Sequence, residues 1–186
     1  LKLYEESIAD SQKAIQLDAS FWKGYIRAGK SHVRMGQLEK AEQCYKTAIQ
    51  THPDSTEVLN VANFELEKLA ELMTQMQAAR EHYNSEHYGS CIQTLESLMV
   101  TVSHCAELHL MLCDAYCYLR QYQQVPKIVE KTKACFNLTE AERQRLVVAE
   151  MKAFGALTAN RWGVHERIQA RLKEGRGSNA DSLYDV

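Results

Sequence analysis

Apolar side chains recur three or four positions apart along most of this chain, which is the spacing of one face of an α-helix. Tyr4, Leu38, Tyr88 and Tyr122 each follow a turn-like segment, and each is predicted to open a helix. The separation from Tyr4 to Leu38 is 34 residues, and so is that from Tyr88 to Tyr122. A fixed period of this length predicts an all-α solenoid of stacked antiparallel helix pairs.

The pattern is most regular between Phe21 and Ser55, in the stretch "WKGYIRAGKSHVRMGQLEKAEQCYKTAIQTHP". Gly29 and Ala41 are small enough to let two helices approach closely. Gly36 allows the turn between the helices, and Pro53 ends the second one. Large residues fill the remaining gaps: Tyr25, Leu38, Tyr45. At almost every signature position this stretch resembles the tetratricopeptide repeat (TPR) family, whose fold is the solenoid that the period predicts.

The same register continues on both sides of this repeat with lower fidelity. Residues 1–20 resemble the second helix of a preceding repeat, and further repeats are predicted to start at Leu72 and Ala106. A last repeat is predicted to begin at a capping box formed by Thr139 and Glu142. Its second helix is predicted over residues 161–173, after a turn at "TANRW".

A long helix is predicted between Pro53 and Tyr88, because about thirty residues there contain neither proline nor glycine. Asp54 or Ser55 is suited to cap its start. An apolar stripe marks the buried face: Val58, Ala62, Leu66, Leu69, Met73, Met76. We therefore expect two arrays that share this helix. Residues 1–71 would be the C-terminal part of an upstream array with its capping helix, and residues 72–186 a second array that stops at the start of a further repeat.

Composition narrows the function classes. A net charge of −2 argues against general nucleic-acid binding. The six cysteines lie mostly at apolar helical positions and are predicted to be buried free thiols, which favours a reducing, cytoplasmic compartment. No set of nucleophile, base and orienting residue is recognisable, so the chain is predicted not to be an enzyme and to need no cofactor.

Lys23 and Arg27 are the candidate binding residues, because a spacing of four places them on one face of a helix. The alternative is that both are ordinary solvated cations. In "KGYIR" they resemble the lysine and arginine of carboxylate-clamp TPR domains, which bind the Glu-Glu-Val-Asp tails of the 70-kDa and 90-kDa heat-shock chaperones. The other clamp positions of that class would precede Leu1, so we expect this chain alone to bind such tails weakly or not at all. The second array lacks the clamp set at its matching positions: Met76, Arg80, Met111, Val147, Met151.

Two other sequence patterns, a histidine and cysteine ladder and an Asn-Leu-Thr tripeptide, could each be either structural or functional. His109, Cys113 and Cys117 follow one helix face and carry ligand atoms suited to zinc, but they also fall on packing positions of their repeat. Core packing is the favoured interpretation, with no metal. "NLT" at Asn137 is a formal glycosylation acceptor, which matters only in a secretory compartment, and a helix-capping turn is the favoured interpretation.

As a whole, the arrangement resembles the J-domain co-chaperones of the cytosolic DnaJ subfamily C type, which carry tandem TPR arrays. That resemblance implies a non-catalytic scaffold that binds chaperone tails and assists client transfer and folding, and unfolded clients are further possible partners. The "HPD" of residues 52–54 lies at the end of a repeat helix and is not a J-domain loop. Two alternatives stay open: a luminal endoplasmic-reticulum relative that binds unfolded clients, and a TPR segment of a larger enzyme.

Overall fold

The computed structural model describes the backbone of residues 2–136 and 138–177, and the side chains of residues 3–136 and 138–159. Eight helices account for most of these residues, and no strand occurs among them. The all-α prediction is therefore confirmed. The helices are α1 (Lys2–Leu17), α2 (Trp22–Arg34), α3 (Leu38–Thr51), α4 (Thr56–Asn84), α5 (Tyr88–Thr101), α6 (Ala106–Tyr118), α7 (Val125–Cys135) and α8 (Glu140–Gly177).

Each helix packs against the next one along the chain, as a solenoid of helix pairs requires. In addition, α2 contacts α4, and α6 contacts α8. Both contacts therefore lie between the first helices of neighbouring repeats. None of the helices in the described part combines the length and the apolar character needed to cross a membrane.

Gly29 and Tyr45 show why the α2–α3 pair forms. A Cβ atom added at Gly29 would lie 2.4 Å from Tyr45 Cε1, so only glycine lets the tyrosine ring enter between the helices. Tyr45 is 1% exposed, and Ala41 and Ala48 beside it are fully buried. The turn between the helices contains Gly36 at φ 74°, in the left-handed region that favours glycine.

Helix α4 is continuous for 29 residues, as predicted. Ser55 caps its start, because its side chain accepts a hydrogen bond from the Val58 amide. Four members of the predicted stripe are buried, and the other two pack partly buried against the core. The division of the chain at residue 71 falls inside this helix and stays a prediction.

Helix α7 begins three residues later than the period predicts. Tyr122 lies in a turn, and the first helical residue is Val125. Pro126 explains the shift, because proline has no amide hydrogen to donate and is best accommodated in the first helical turn. The predicted helix start at Tyr122 was therefore wrong.

The predicted turn at "TANRW" is also wrong, because residues 158–162 lie inside α8. That segment contains neither glycine nor proline, and Thr158 donates its hydroxyl back to the Phe154 carbonyl at 2.8 Å, within the helix. The capping box at the start of α8 is confirmed. The Thr139 amide donates to Glu142 Oε2 at 2.8 Å, and the Glu142 amide donates to Thr139 Oγ1 at 3.3 Å. Asn137 and residues 178–186 lie outside the described part of the chain.

The loop between α5 and α6 contacts the first array. The Arg34 guanidinium donates from Nη1 to the carbonyls of Val100 and Thr101, both at 3.1 Å. In return, the His104 amide donates to the Arg34 carbonyl at 2.9 Å. The His104 ring also lies edge-on against Tyr4 of α1, with 4.9 Å between the ring centroids. The two halves of the chain are therefore linked through this loop as well as through α4.

Candidate functional site

The buried side of α2 determines where its cations lie. Gly24, Ile26, Ala28 and Gly29 are all buried, and they hold one side of the helix against its neighbours. The opposite side contains four cations spaced four, three and four positions apart, which places them on a single face. They are Lys23, Arg27, Lys30, Arg34.

These four cations line an open cavity of about 380 Å³, and Tyr4 of α1 forms part of its wall. Lys23 and Arg27 are both exposed and lie one helical turn apart, so the structure brings the two predicted residues to the same cavity. Their role in holding a carboxylate stays a prediction.

Two of the four cations are already engaged. Lys30 pairs with Glu65 of α4 at 3.1 Å, and Arg34 binds the carbonyls at the end of α5. Lys23 lies over the Trp22 ring, 5.3 Å from its centroid. Among the described residues, neither Lys23 nor Arg27 has an acidic side chain within ion-pair distance. Their charges are therefore available to a ligand.

Sequence reasoning missed Tyr4, Lys30 and Arg34 as neighbours of the predicted pair. For Lys30 and Arg34 a signal was present, because they continue the same helix face at seven and eleven positions from Lys23. For Tyr4 the contact depends on how α1 packs against α2. Lys30 and Arg34 also line a second cavity of about 550 Å³ between α2, α4 and α5, which contains charges of both signs.

The corresponding positions of the second array carry no comparable pair of free cations in the described structure. Met76 and Met111 are buried. Arg80 donates to both carboxylate oxygens of Glu107, at 2.9 and 3.0 Å, and these hydrogen bonds raise the pKa of Arg80. Its charge is therefore already neutralised within the protein.

The histidine and cysteine ladder on α6 is part of the core. His109 is fully buried, and its Nδ1–H donates to the Cys105 carbonyl at 2.9 Å. Burial lowers the pKa of His109 and raises that of Cys113 to about 12, so both are held in their neutral forms. No group of three metal-ligating side chains that could hold an ion occurs in the described part. The prediction of core packing is thus confirmed for His109, Cys113 and Cys117.

All six cysteines lie in the described residues and are free thiols. Four are buried and two are partly exposed. Cys91, for example, donates its thiol to the Ala79 carbonyl at 3.5 Å, between α5 and α4. The cysteines therefore act mainly as small packing residues.

Comparison with known proteins agrees with this geometry. Residues 23–55, which contain both candidate cations, match the tetratricopeptide repeat family. The crystal structure of the P58(IPK) TPR domain superposes with a TM-score of 0.67 over 94% of this chain and 46% of that one, at 16% identity. The chain has a TPR fold. At this identity the likeness extends to the fold alone.

The similar proteins match this chain over limited lengths, and the chain spans less than a quarter of each curated relative named below. The DnaJ homolog subfamily C member 7 homolog of Dictyostelium discoideum is 24% identical over 125 residues, which are 67% of this chain and 22% of the relative. The Hsp70-Hsp90 organizing protein of Triticum aestivum is 36% identical over 55 residues, 30% of this chain and 10% of the relative. Human serine/threonine-protein phosphatase 5 is 24% identical over 99 residues, 53% of this chain and 19% of the phosphatase.

Proposed function

We propose that this TPR chain is the interaction scaffold of a cytoplasmic co-chaperone. Its α2 face would form part of a groove that binds the acidic C-terminal tails of the 70-kDa and 90-kDa heat-shock chaperones, and so assist client transfer and folding. The observation that carries the proposal is the pair of exposed cations, Lys23 and Arg27, which face one open cavity without an acidic partner among the described residues.

The chemistry of the cavity suits a carboxylate. Lysine and arginine supply charge-assisted hydrogen bonds, which are stronger than those between neutral groups. Both side chains project from a helix that is held by the Gly29–Tyr45 contact, so the helix backbone does not have to be ordered when the ligand binds. Two similar proteins support the partner class, since one is named an Hsp70-Hsp90 organizing protein and another a DnaJ homolog.

A TPR segment of a larger enzyme is a second candidate, because protein phosphatase 5 is among the similar proteins. That match covers 19% of the phosphatase. Even in that case, this chain would serve as a protein-binding scaffold, because the TPR fold is one on which partners dock.

The test is a calorimetric titration of a peptide ending in Glu-Glu-Val-Asp into the full-length protein. Changing both Lys23 and Arg27 to alanine is expected to weaken binding by more than about 2 kcal/mol, because two charged donors to a desolvated carboxylate are lost. Raising the salt concentration should also weaken wild-type binding.

Lys40→Ala is the matched control, because it removes one exposed cation from α3, outside the α2 cavity. It is expected to leave the affinity nearly unchanged. A peptide with an amidated C-terminus should bind more weakly than the free acid. Equal affinity of the wild type and the Lys23/Arg27 double variant would refute the proposal.

A further inference from the structure

A second groove lies between α6 and α8, in the other half of the molecule. It encloses about 350 Å³, and its lining includes Cys117, Tyr118, Gln144, Val148, Ala149 and Lys152. None of these residues belongs to the α2 cavity. We refer to this surface as the α6–α8 groove.

The floor and one wall of the α6–α8 groove are fixed by internal contacts. Cys117 donates its thiol across the floor to the Ala149 carbonyl at 3.8 Å. The Tyr118 ring stacks on Tyr88, with centroids 4.4 Å apart and planes 3° from parallel. Tyr118 is nevertheless 58% exposed, so its free face is open to a ligand. A wall that is held in place before binding lowers the entropic cost of binding.

The groove continues into an apolar stripe on α8. Val147, Met151 and Phe154 lie four and three positions apart, on one helix face, and are 45%, 69% and 70% exposed. Val148 extends this face into the groove and is 51% exposed. The side of α8 that packs on the core is different, since Leu146, Ala149 and Ala153 are almost completely buried. The exposed stripe is therefore not used in the packing of α8 against the other described helices.

The charges around the groove determine what kind of partner fits. Asp114 of α6 and Arg145 of α8 neutralise each other, because Asp114 accepts hydrogen bonds from Arg145 and from Tyr83. Lys152 lies 5.9 Å from the centroid of the Tyr118 ring and makes no ion pair among the described residues. The uncompensated charge at the rim is therefore positive.

We propose that the α6–α8 groove is a second binding site, and that it takes a peptide segment with an apolar side chain next to a carboxylate. The apolar side chain would pack against Tyr118 and Val148, and the carboxylate would pair with Lys152. This ligand differs from the one proposed for α2, because the acidic group is a side chain inside the peptide and no free C-terminus is needed.

The test uses the peptide Gly-Asp-Leu-Phe-Asp-Leu-Gly, acetylated and amidated so that it lacks the terminal carboxylate required by the α2 cavity. We expect calorimetric binding and chemical-shift changes at the amides of Gln144, Val148 and Lys152. Lys152→Glu and Val148→Asp are each expected to weaken binding at least about tenfold. The first variant removes the charge partner and the second an apolar contact, and a loss of this size is typical of a strong single interface residue. A peptide with lysine in place of both aspartates should also bind at least about tenfold more weakly.

Lys127→Glu is the matched control, since it makes the same charge change at an exposed position of α7. It should alter the affinity less than about twofold, as expected for a distant surface charge. The Lys23→Ala/Arg27→Ala variant should bind this peptide like the wild type, which separates the two sites. Lack of binding, or equal binding of the acidic and lysine peptides, would overturn the proposal. Light scattering supplies a further test. If the protein were a dimer and Val148→Asp made it a monomer, a second copy would cover this face and the proposal would also be overturned.

Discussion

At the scale of single residues, the fold depends on a few positions where size is decisive. Gly29 leaves the space that the buried Tyr45 ring occupies, and no larger residue fits there without displacing the ring. The buried Tyr45 hydroxyl has no hydrogen-bond partner among the described residues, and burial raises the pKa of Tyr45. The α2–α3 contact is therefore made by shape and apolar burial, with little help from hydrogen bonding.

Gly29→Ala is expected to lower the free energy of unfolding by about 1–3 kcal/mol, because the added methyl overpacks the contact with Tyr45. Urea unfolding followed by circular dichroism measures the change. Gly89→Ala is the control, since a Cβ atom there meets nothing within 4 Å, and its better helix propensity should add about 0.5–1 kcal/mol. If both variants were stabilised equally, the Gly29–Tyr45 contact would have no role in packing.

The small residues between α2 and α3, such as Gly29 and Ala41, were predictable from the sequence, because the repeat period identifies each of these positions. The pair Lys23 and Arg27 was predictable for the same reason, since a spacing of four on a known helix determines the face. The contact of Lys30 with Glu65 was not, because it joins two helices whose relative position depends on packing across the whole repeat.

At the scale of helices, ends are set by local chemistry more than by the period. Pro126 delays the start of α7, whereas the Thr139–Glu142 capping box begins α8 where the sequence predicts. The end predicted for the first helix of the last repeat was wrong because no residue of "TANRW" disfavours a helix as strongly as glycine or proline. A repeat register alone does not supply a turn; it also needs a residue that interrupts the helix.

Thr139→Ala is expected to cost about 1 kcal/mol of stability, because the amide at the start of α8 loses the oxygen that caps it. Thr139→Ser keeps that oxygen and should lie within about 0.5 kcal/mol of the wild type. Chemical denaturation of the three proteins compares them directly. The capping box would be unimportant if serine and alanine had the same effect.

At the scale of the whole molecule, the two halves are joined at two places. One is α4, which contributes to both, and the other is the α5–α6 loop, which packs against the turn of the first repeat. A Cβ atom at Gly36 would lie 2.7 Å from Cys105 Sγ, so the turn and the start of α6 are in direct contact. The sequence predicted the first link from an uninterrupted apolar stripe. It gave no signal for the second, because Gly36 and Cys105 are far apart along the chain and belong to no common motif.

A double-mutant cycle between Gly36 and Cys105 tests this second link. Gly36→Ala is expected to cost about 1–3 kcal/mol, because it strains a left-handed backbone and crowds the Cys105 thiol. In the Cys105→Gly background the cost should be smaller by at least about 0.5 kcal/mol, since both the thiol and the Cys105 Cβ, which would lie 2.8 Å from the added methyl, are gone. The measurement is the free energy of unfolding of all four proteins. Strictly additive effects would mean that the two halves are not coupled at this contact.

The unbroken α4 has a consequence for how chains of this kind can change in length. Its 29 residues form a rod of about 43 Å. Because each residue of an α-helix advances the direction of the side chains by about 100°, one inserted amino acid near the middle of α4 would rotate the second half around the rod by that angle. It would also break the contacts of the α5–α6 loop with Arg34. The cationic surface of α2 and the groove beside α8 would then point in new relative directions. The number of amino acids in α4 thus sets the angle at which two ligands would be presented to each other.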